Sequence, residues 1–207
     1  MFTDESAWIR EKLSALALPP NCQVLNIGSS DADFLKTQPH IEENVLAPLR
    51  ERGCSILNMD IKSSPAVDIV ADIASADLLE RTKERFQLVI CASLLEHVAD
   101  RETAIRNIAG ITESSGYILV TVPFNYPRHE DPIDTMYRPS AEGLARDFQK
   151  HFDAVVVQSE ILDIRDSRYY YYRSRLPFWG YRAFRFWRIW LKRYRWKVSC
   201  VVLKRTS

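Results

Sequence analysis

Short aliphatic runs alternate along this chain with segments whose apolar residues recur every three to four positions. Six runs read as strands: Gln23 to Ile27, Ser55 to Asp60, Val67 to Ala71, Gln87 to Cys91, Gly116 to Val122 and Ala154 to Ser159. Between them lie helical patterns, such as Ile9, Leu13 and Leu16 before the first strand, and Ile105, Ile108 and Ala109 before the fifth. Asp100 is placed to cap the latter helix, and Gly116 is expected to end the turn after it. Pro48 should kink or break the stretch Ile41 to Arg52 near Ala47. A last run, "KVSCVVL", Lys197 to Leu203, makes a seventh strand. Strand and helix in alternation predict an α/β protein with a mostly parallel sheet, and the apolar continuity of the strands predicts that both sheet faces are covered.

Residues 163–196 interrupt this pattern between strands six and seven. The stretch "SRYYYYRSRLPFWGYRAFRFWRIWLKRYRW" is too long for a hairpin turn and too aromatic for a solvated loop. We read it as a basic aromatic insertion into a single domain spanning residues 1–207, a length that suits one substantial core.

Charge sharpens that division. Residues 1–164 carry 15 Lys and Arg against 26 Asp and Glu, a balance of −11, whereas residues 165–207 carry 13 against Asp166 alone, a balance of +12. From Phe178 to Trp196 the pattern is an amphipathic helix, with Ala183, Trp187, Trp190, Leu191 and Tyr194 on one face and Arg182, Arg185, Arg188, Lys192 and Arg195 broadly on another. Contact of 178–196 with an anionic membrane surface is the first expectation, covering of the body or the pocket the second, and nucleic acid the third. Charged residues break up the first twenty positions and no run of about 20 apolar residues occurs, so the expected location is cytoplasmic, with peripheral contact at the inner membrane face. The scattered Cys22, Cys54, Cys91 and Cys200 read as reduced, buried thiols. The four histidines show no helical or finger-type spacing, so no metal is expected.

Open α/β sheets bind ligands beyond the carboxyl ends of their strands, which makes the residues after each strand the informative ones. Strand one is followed by Gly28, Ser29 and Ser30; strand two ends at Asp60; Asp72 follows strand three. A carboxylate after strand two can accept from both hydroxyls of a ribose, and one after strand three can accept from an adenine amino group. Either Asp alone is more simply a turn cap; both together, beside Gly28, describe a nucleoside pocket. The turn lacks a second glycine, and Asp31 and Asp33 would repel a pyrophosphate, so a ligand with a cationic or zwitterionic end suits it better.

The stretches "VLNIGSS", "NMDIKSS", "DIVADI", "FQLVICASLLEHV" and "GYILVTVPFNYPRHEDPIDTMYRPSAEGL" resemble the successive motifs of class I S-adenosylmethionine-dependent methyltransferases, in particular the small bacterial ones of the methyltransferase type 11 group. The resemblance spans roughly Asn21 to Phe152 and implies a Rossmann-like sheet of seven strands, mostly parallel, with helices on both faces and an antiparallel last strand. It also implies S-adenosyl-L-methionine as cofactor. Gly28, Ser29 and Ser30 would then surround its methionine part, Asp60 with Ile61 the ribose, Asp72 with Ile73 the adenine, and the turn from Cys91 to Leu94 the methionine side. Two positions depart from the family's pattern. Asn26 stands where an acidic residue is usual, keeping an acceptor without the charge, and Ser30 replaces the second glycine.

A sulfonium is already activated, so positioning can carry much of the catalysis, with a base needed only where the acceptor loses a proton. His129, after strand five, is the candidate base, and Asp134 either orients it or contacts a sugar hydroxyl. Tyr137 and Arg138 are candidates for binding an anionic or saccharide acceptor; His97 is a further acceptor-side candidate, although packing at a helix start is the simpler reading, and Glu96 reads as local support. The expected activity is methyl transfer to oxygen or nitrogen of a small, saccharide-like or lipid-linked acceptor. Two alternatives stay open: a methyltransferase-like scaffold with an impaired cofactor site, and a nucleic-acid methyltransferase.

Overall fold

The computed structural model describes residues 1–29, 32–129, 133–165 and 195–206. Ser30 and nearly all of the basic aromatic insertion, with Trp187 and Trp190, lie outside these. The strands are β1 (Gln23–Ile27), β2 (Ser55–Asp60), β3 (Ile69–Val70), β4 (Phe86–Ala92), β5 (Thr112–Asn125), β6 (Ala154–Asp163) and β7 (Lys197–Arg205). The helices are α1 (Thr3–Ala15), α2 (Ala32–Thr37), α3 (Pro39–Ile41), α4 (Ala47–Glu51), α5 (Leu78–Thr82), α6 (Arg101–Ile111) and α7 (Ala141–Gln149).

One seven-stranded sheet runs in the order β3-β2-β1-β4-β5-β7-β6. β1 pairs in parallel with β2 and β4, and β4 with β5, while β7 runs antiparallel between β5 and β6. This is the Rossmann-like arrangement with an antiparallel last strand. Alternate residues of each strand enter opposite cores, as pleating requires. Leu25, Val89, Cys91, Ile118 and Val120 pack with α5, α6 and α7 through Leu78, Ile105, Ile108, Leu144 and Phe148. Val24, Leu88, Ile90, Leu119 and Val202 pack on the other face with Trp8, Ile9 and Leu13 of α1 and with Val45, Leu46 and Leu49. Both faces of the central strands are therefore covered. Edge strand β6 is the exception, since Val155, Val156 and Val157 are exposed among the described residues.

Local signals hold in some places and shift in others. Asp100 caps α6 through its Oδ1, which accepts from Thr103 N at 3.1 Å. Pro48 distorts the helix without breaking it: residues 39–51 stay helical, and Glu42–Leu46 widens into a π-helical turn directly before α4, whose first turn holds the proline. Gly116 does not end a turn. β5 already begins at Thr112, and a bulge between the pairs Phe86–Thr112 and Leu88–Tyr117 takes up the extra residues. A Cβ on Gly116 would lie 2.9 Å from Glu113 O and 3.1 Å from Phe86 O, so close backbone approach explains the glycine.

The reduced-thiol expectation is corrected for one pair. Cys22 and Cys54 form a disulfide, while Cys91 and Cys200 are free and buried. Their meeting follows from register: Gln23 pairs with Ser55, so the residues just before each strand are neighbours across the β1–β2 ladder. A separation of 32 residues gives no sequence hint of this. We predict that the denatured, unreduced protein shows two titratable thiols and that reduction lowers stability by roughly 3 to 4 kcal/mol, from loop-closure entropy. Four reactive thiols before any reductant is added would contradict the pairing.

Candidate active site

The first turn is pinned to the neighbouring strand. Gly28 N and Ser29 N both donate to Met59 O, at 2.8 and 3.3 Å. Gly28 has φ +75°, and a Cβ there would stand 3.2 Å from Leu94 Cδ1, so glycine is required twice over. The Ser29 hydroxyl is buried with no hydrogen-bond partner among the described residues. Asn26 donates through Nδ2 to Asn58 Oδ1 at 3.0 Å, which ties β1 to β2 side chain to side chain. Asp60 Oδ1 accepts from Lys62 N at 3.0 Å, and Ile61 beside it is 65% exposed. Asp72 Oδ1 accepts from Ala74 N at 2.8 Å as a turn cap, while Ile73 is buried.

Across from this turn, the last residue but one of β4 is Cys91, whose side chain is fully buried in the core, leaving only its backbone for the crevice. Ser93 then takes φ +50° and places its hydroxyl on Glu5, at 3.0 Å from Oε1. Glu5, at the start of α1, is itself fully buried and also accepts from Thr121 Oγ1 and Phe2 N. The first helix is thus bolted onto the carboxyl ends of β4 and β5.

Beyond β4 a 3₁₀ turn, Leu95–His97, carries Glu96 inward, and the loop after β5 brings His129 to meet it. Asp134 is the anchor of that loop. Its carboxylate accepts from Arg138 Nη2 at 2.6 Å, His129 N at 3.0 Å and Met136 N at 2.8 Å. Burial alone would raise its pKa, but these donors and the guanidinium charge outweigh it and hold Asp134 well below the usual carboxylate range. Arg138 also donates to Tyr137 O and Tyr126 O. Tyr137 gives its hydroxyl to Asp147 at 2.6 Å and lies under the Arg101 guanidinium, 4.6 Å from the ring centre. Both acceptor-binding candidates are therefore engaged in holding the loop and α7.

The two histidines, 32 positions apart in sequence, stand edge to face with ring centres 5.0 Å apart. Burial, followed by the neighbouring His97, pushes the His129 imidazole below its ordinary value, so it is neutral at pH 7. Its Nδ1 lies 3.2 Å from Asp134 Oδ2 but outside hydrogen-bonding geometry. Burial pushes Glu96 up to about 8. Tyr126 packs against His129, and Trp196, at the far end of the basic segment, packs on Tyr126. Ile164 N donates to Trp196 O at 2.9 Å, so the two ends of that segment meet beside this loop.

Sequence reasoning missed Glu5, Tyr126 and Trp196 and underrated Glu96. Only the Glu-His pair directly after a strand gave any signal. Asp134 yields a pH test. A depressed folded pKa gives stability that is present above the ordinary value of about 3.9 and lost as pH falls toward the folded one. Asp134→Asn should therefore cost about 2 to 4 kcal/mol at pH 7, with the gap closing below about pH 4. A gap of constant size from pH 3 to 7, read from denaturant unfolding, would contradict the assignment of charge.

Comparison with known proteins gives this geometry its context. A family model described as a methyltransferase domain matches residues 4–193. A ubiquinone/menaquinone biosynthesis C-methyltransferase, UbiE of Shewanella frigidimarina, is 23% identical over 128 residues, 59% of this chain and 51% of the relative. The chain thus spans about half the length of the curated relatives it matches. Among solved structures, a 1,6-didemethyltoxoflavin-N1-methyltransferase of Burkholderia thailandensis with bound S-adenosylhomocysteine superimposes with TM-score 0.55 at 12% identity, over 98% of this chain and 76% of that one. Coclaurine N-methyltransferase does so with TM-score 0.56 at 16% identity, over 97% and 72%. The residues fit such a cofactor: a turn with positive φ at Gly28, a buried serine hydroxyl without a partner among the described residues, and a carboxylate closing β2. The chain belongs to the methyltransferase domain family.

Proposed function

We propose that this protein methylates an oxygen or nitrogen of a small polar acceptor, saccharide-like or lipid-linked, at the His129 end of the crevice. The observation that carries the reading is the place of the His129 imidazole, on a loop fixed by Asp134 and edge to face with His97 beside the end of β4. When bound, the cofactor supplies a methyl group activated on a sulfonium. Gly28 and Ser29 would hold the methionine part of S-adenosylmethionine, Asp60 the ribose hydroxyls, and Asp72 with Ile73 the adenine side. His129 accepts the proton that a hydroxyl or amine must lose, and its low pKa keeps it unprotonated for that task. Arg138 and Tyr137 act one step back, by holding the loop that carries His129. The small-molecule acceptor named with the Burkholderia structure favours this class. A second reading, methylation at carbon of a quinone-like lipid ring, is favoured by the similarity to UbiE.

Asp60→Ala should weaken S-adenosylhomocysteine binding by about 30- to 150-fold in calorimetry, since a charge-assisted acceptor contributes ~2 to 3 kcal/mol. His129→Ala should leave that affinity near wild type while lowering transfer of labelled methyl to O- and N-acceptors by about 10²- to 10⁴-fold. Normal turnover in His129→Ala would remove it as the proton acceptor. No binding of the cofactor product at millimolar concentration would favour a scaffold.

A further inference from the structure

We propose that Glu96, His97 and His129 form a site for a divalent transition-metal cation, zinc(II) in the first instance, at the acceptor end of the crevice. Each residue offers one ligand atom, and the three atoms all lie within 4.8 Å of one another. Two imidazoles and one carboxylate, with coordination positions left over, form the ligand set of open, reactive zinc and related divalent sites. Zinc holds such donors at about 2.0 to 2.2 Å, so the cluster needs to close by roughly an ångström around the ion.

Two further features point to a cation. Glu96 is 1% exposed, yet its Oε2 has no hydrogen-bond partner among the described residues. A carboxylate oxygen left bare in the interior is costly, and a bound cation removes that cost. His97, for its part, is oriented from behind. Its Nδ1 faces Ile133 O at 2.5 Å, which as a donor fixes the tautomer whose Nε2 carries the lone pair, and Nε2 is the atom 3.8 Å from Glu96 Oε1. An outer carbonyl holding the second nitrogen is the usual support of a metal-ligating histidine. Asp134 Oδ2, 3.2 Å from Nδ1 of His129, gives the second imidazole a carboxylate neighbour.

The contrast with the nearby carboxylate supports the assignment. Asp134 receives three donors and is satisfied by the protein itself. Glu96 receives none on Oε2 and stands beside two imidazoles. In the metal-loaded protein a cation there would bind an acceptor through an oxygen next to the atom methylated and lower the pKa of a bound hydroxyl, whereas in the metal-free protein His129 keeps the role of proton acceptor. That consequence rests on the methyl-transfer reading. The binding of the cation does not.

The test uses the full-length, tag-free protein, stripped with a chelator and titrated with cobalt(II) and zinc(II). We expect one ion per chain, with visible d–d absorption for cobalt displaced by zinc. Affinity should fall roughly 100-fold or more in His97→Ala and in His129→Ala, and about 10-fold or more in Glu96→Gln, while His151→Ala binds as wild type. Should His97→Ala fail to fold, His129→Gln carries the same expectation. S-adenosylhomocysteine affinity is measured on every sample. Loss of metal with cofactor binding intact supports the site and separates it from unfolding. Cofactor binding without stoichiometric metal in the wild type, or metal binding unchanged in the ligand variants, would overturn it. Metal binding without cofactor binding would support the site while counting against the methyl-transfer reading.

Discussion

The parallel pairing of β1 with β4, Val24 opposite Leu88 through Ile27 opposite Cys91, is the constraint on which the rest of the molecule depends. From β1 the chain leads outward to β2, and from β4 it leads the other way to β5. Connections leaving in opposite directions open a crevice at the carboxyl ends of the central strands. Both chains turn there with positive φ, at Gly28 and Ser93, and Leu94 closes against Gly28. A Cβ at position 28 would press on the Leu94 side chain, 3.2 Å from its Cδ1.

Two buried carboxylates near this crevice show how polar groups divide between structure and chemistry. Asp134 is ionised because Arg138 and two backbone N–H groups surround it, and through them it fixes the loop that carries His129. Glu96 lacks such donors on Oε2, and burial pushes it up to about 8. Similar burial thus leads to opposite charge states, decided by hydrogen bonds. Glu5 is a third case, placed by α1 on Ser93 and Thr121, so that the amino-terminal helix and the turn after β4 are positioned together.

The sheet was legible because short continuous apolar runs and helical patterns alternate, and the segment "KVSCVVL" announced the last strand. The Asp100 cap and the helix distortion at Pro48 were legible because they are local. What escaped depends on register and on loops that converge from afar. Cys22 and Cys54 meet because β1 and β2 align. His97 and His129 meet because the ends of β4 and β5 lie side by side, so no sequence spacing of metal-ligand type could show them. Tyr137 and Arg138 looked like acceptor ligands because they are polar residues in a loop after a strand, yet Asp147 and Asp134 engage them. Gly116 looked like a turn and is a bulge in β5, where a Cβ would strike backbone oxygens.

The most direct measurement is a crystal structure of the protein with S-adenosylhomocysteine. The account predicts the methionine part over the Gly28–Ser29 turn, in contact with the buried Ser29 hydroxyl, and both ribose hydroxyls on Asp60. Its sulfur should face the side of the crevice where His129 and Glu96 stand. Product bound away from the β1–β4 strand ends, or a ribose that leaves Asp60 untouched, would contradict it.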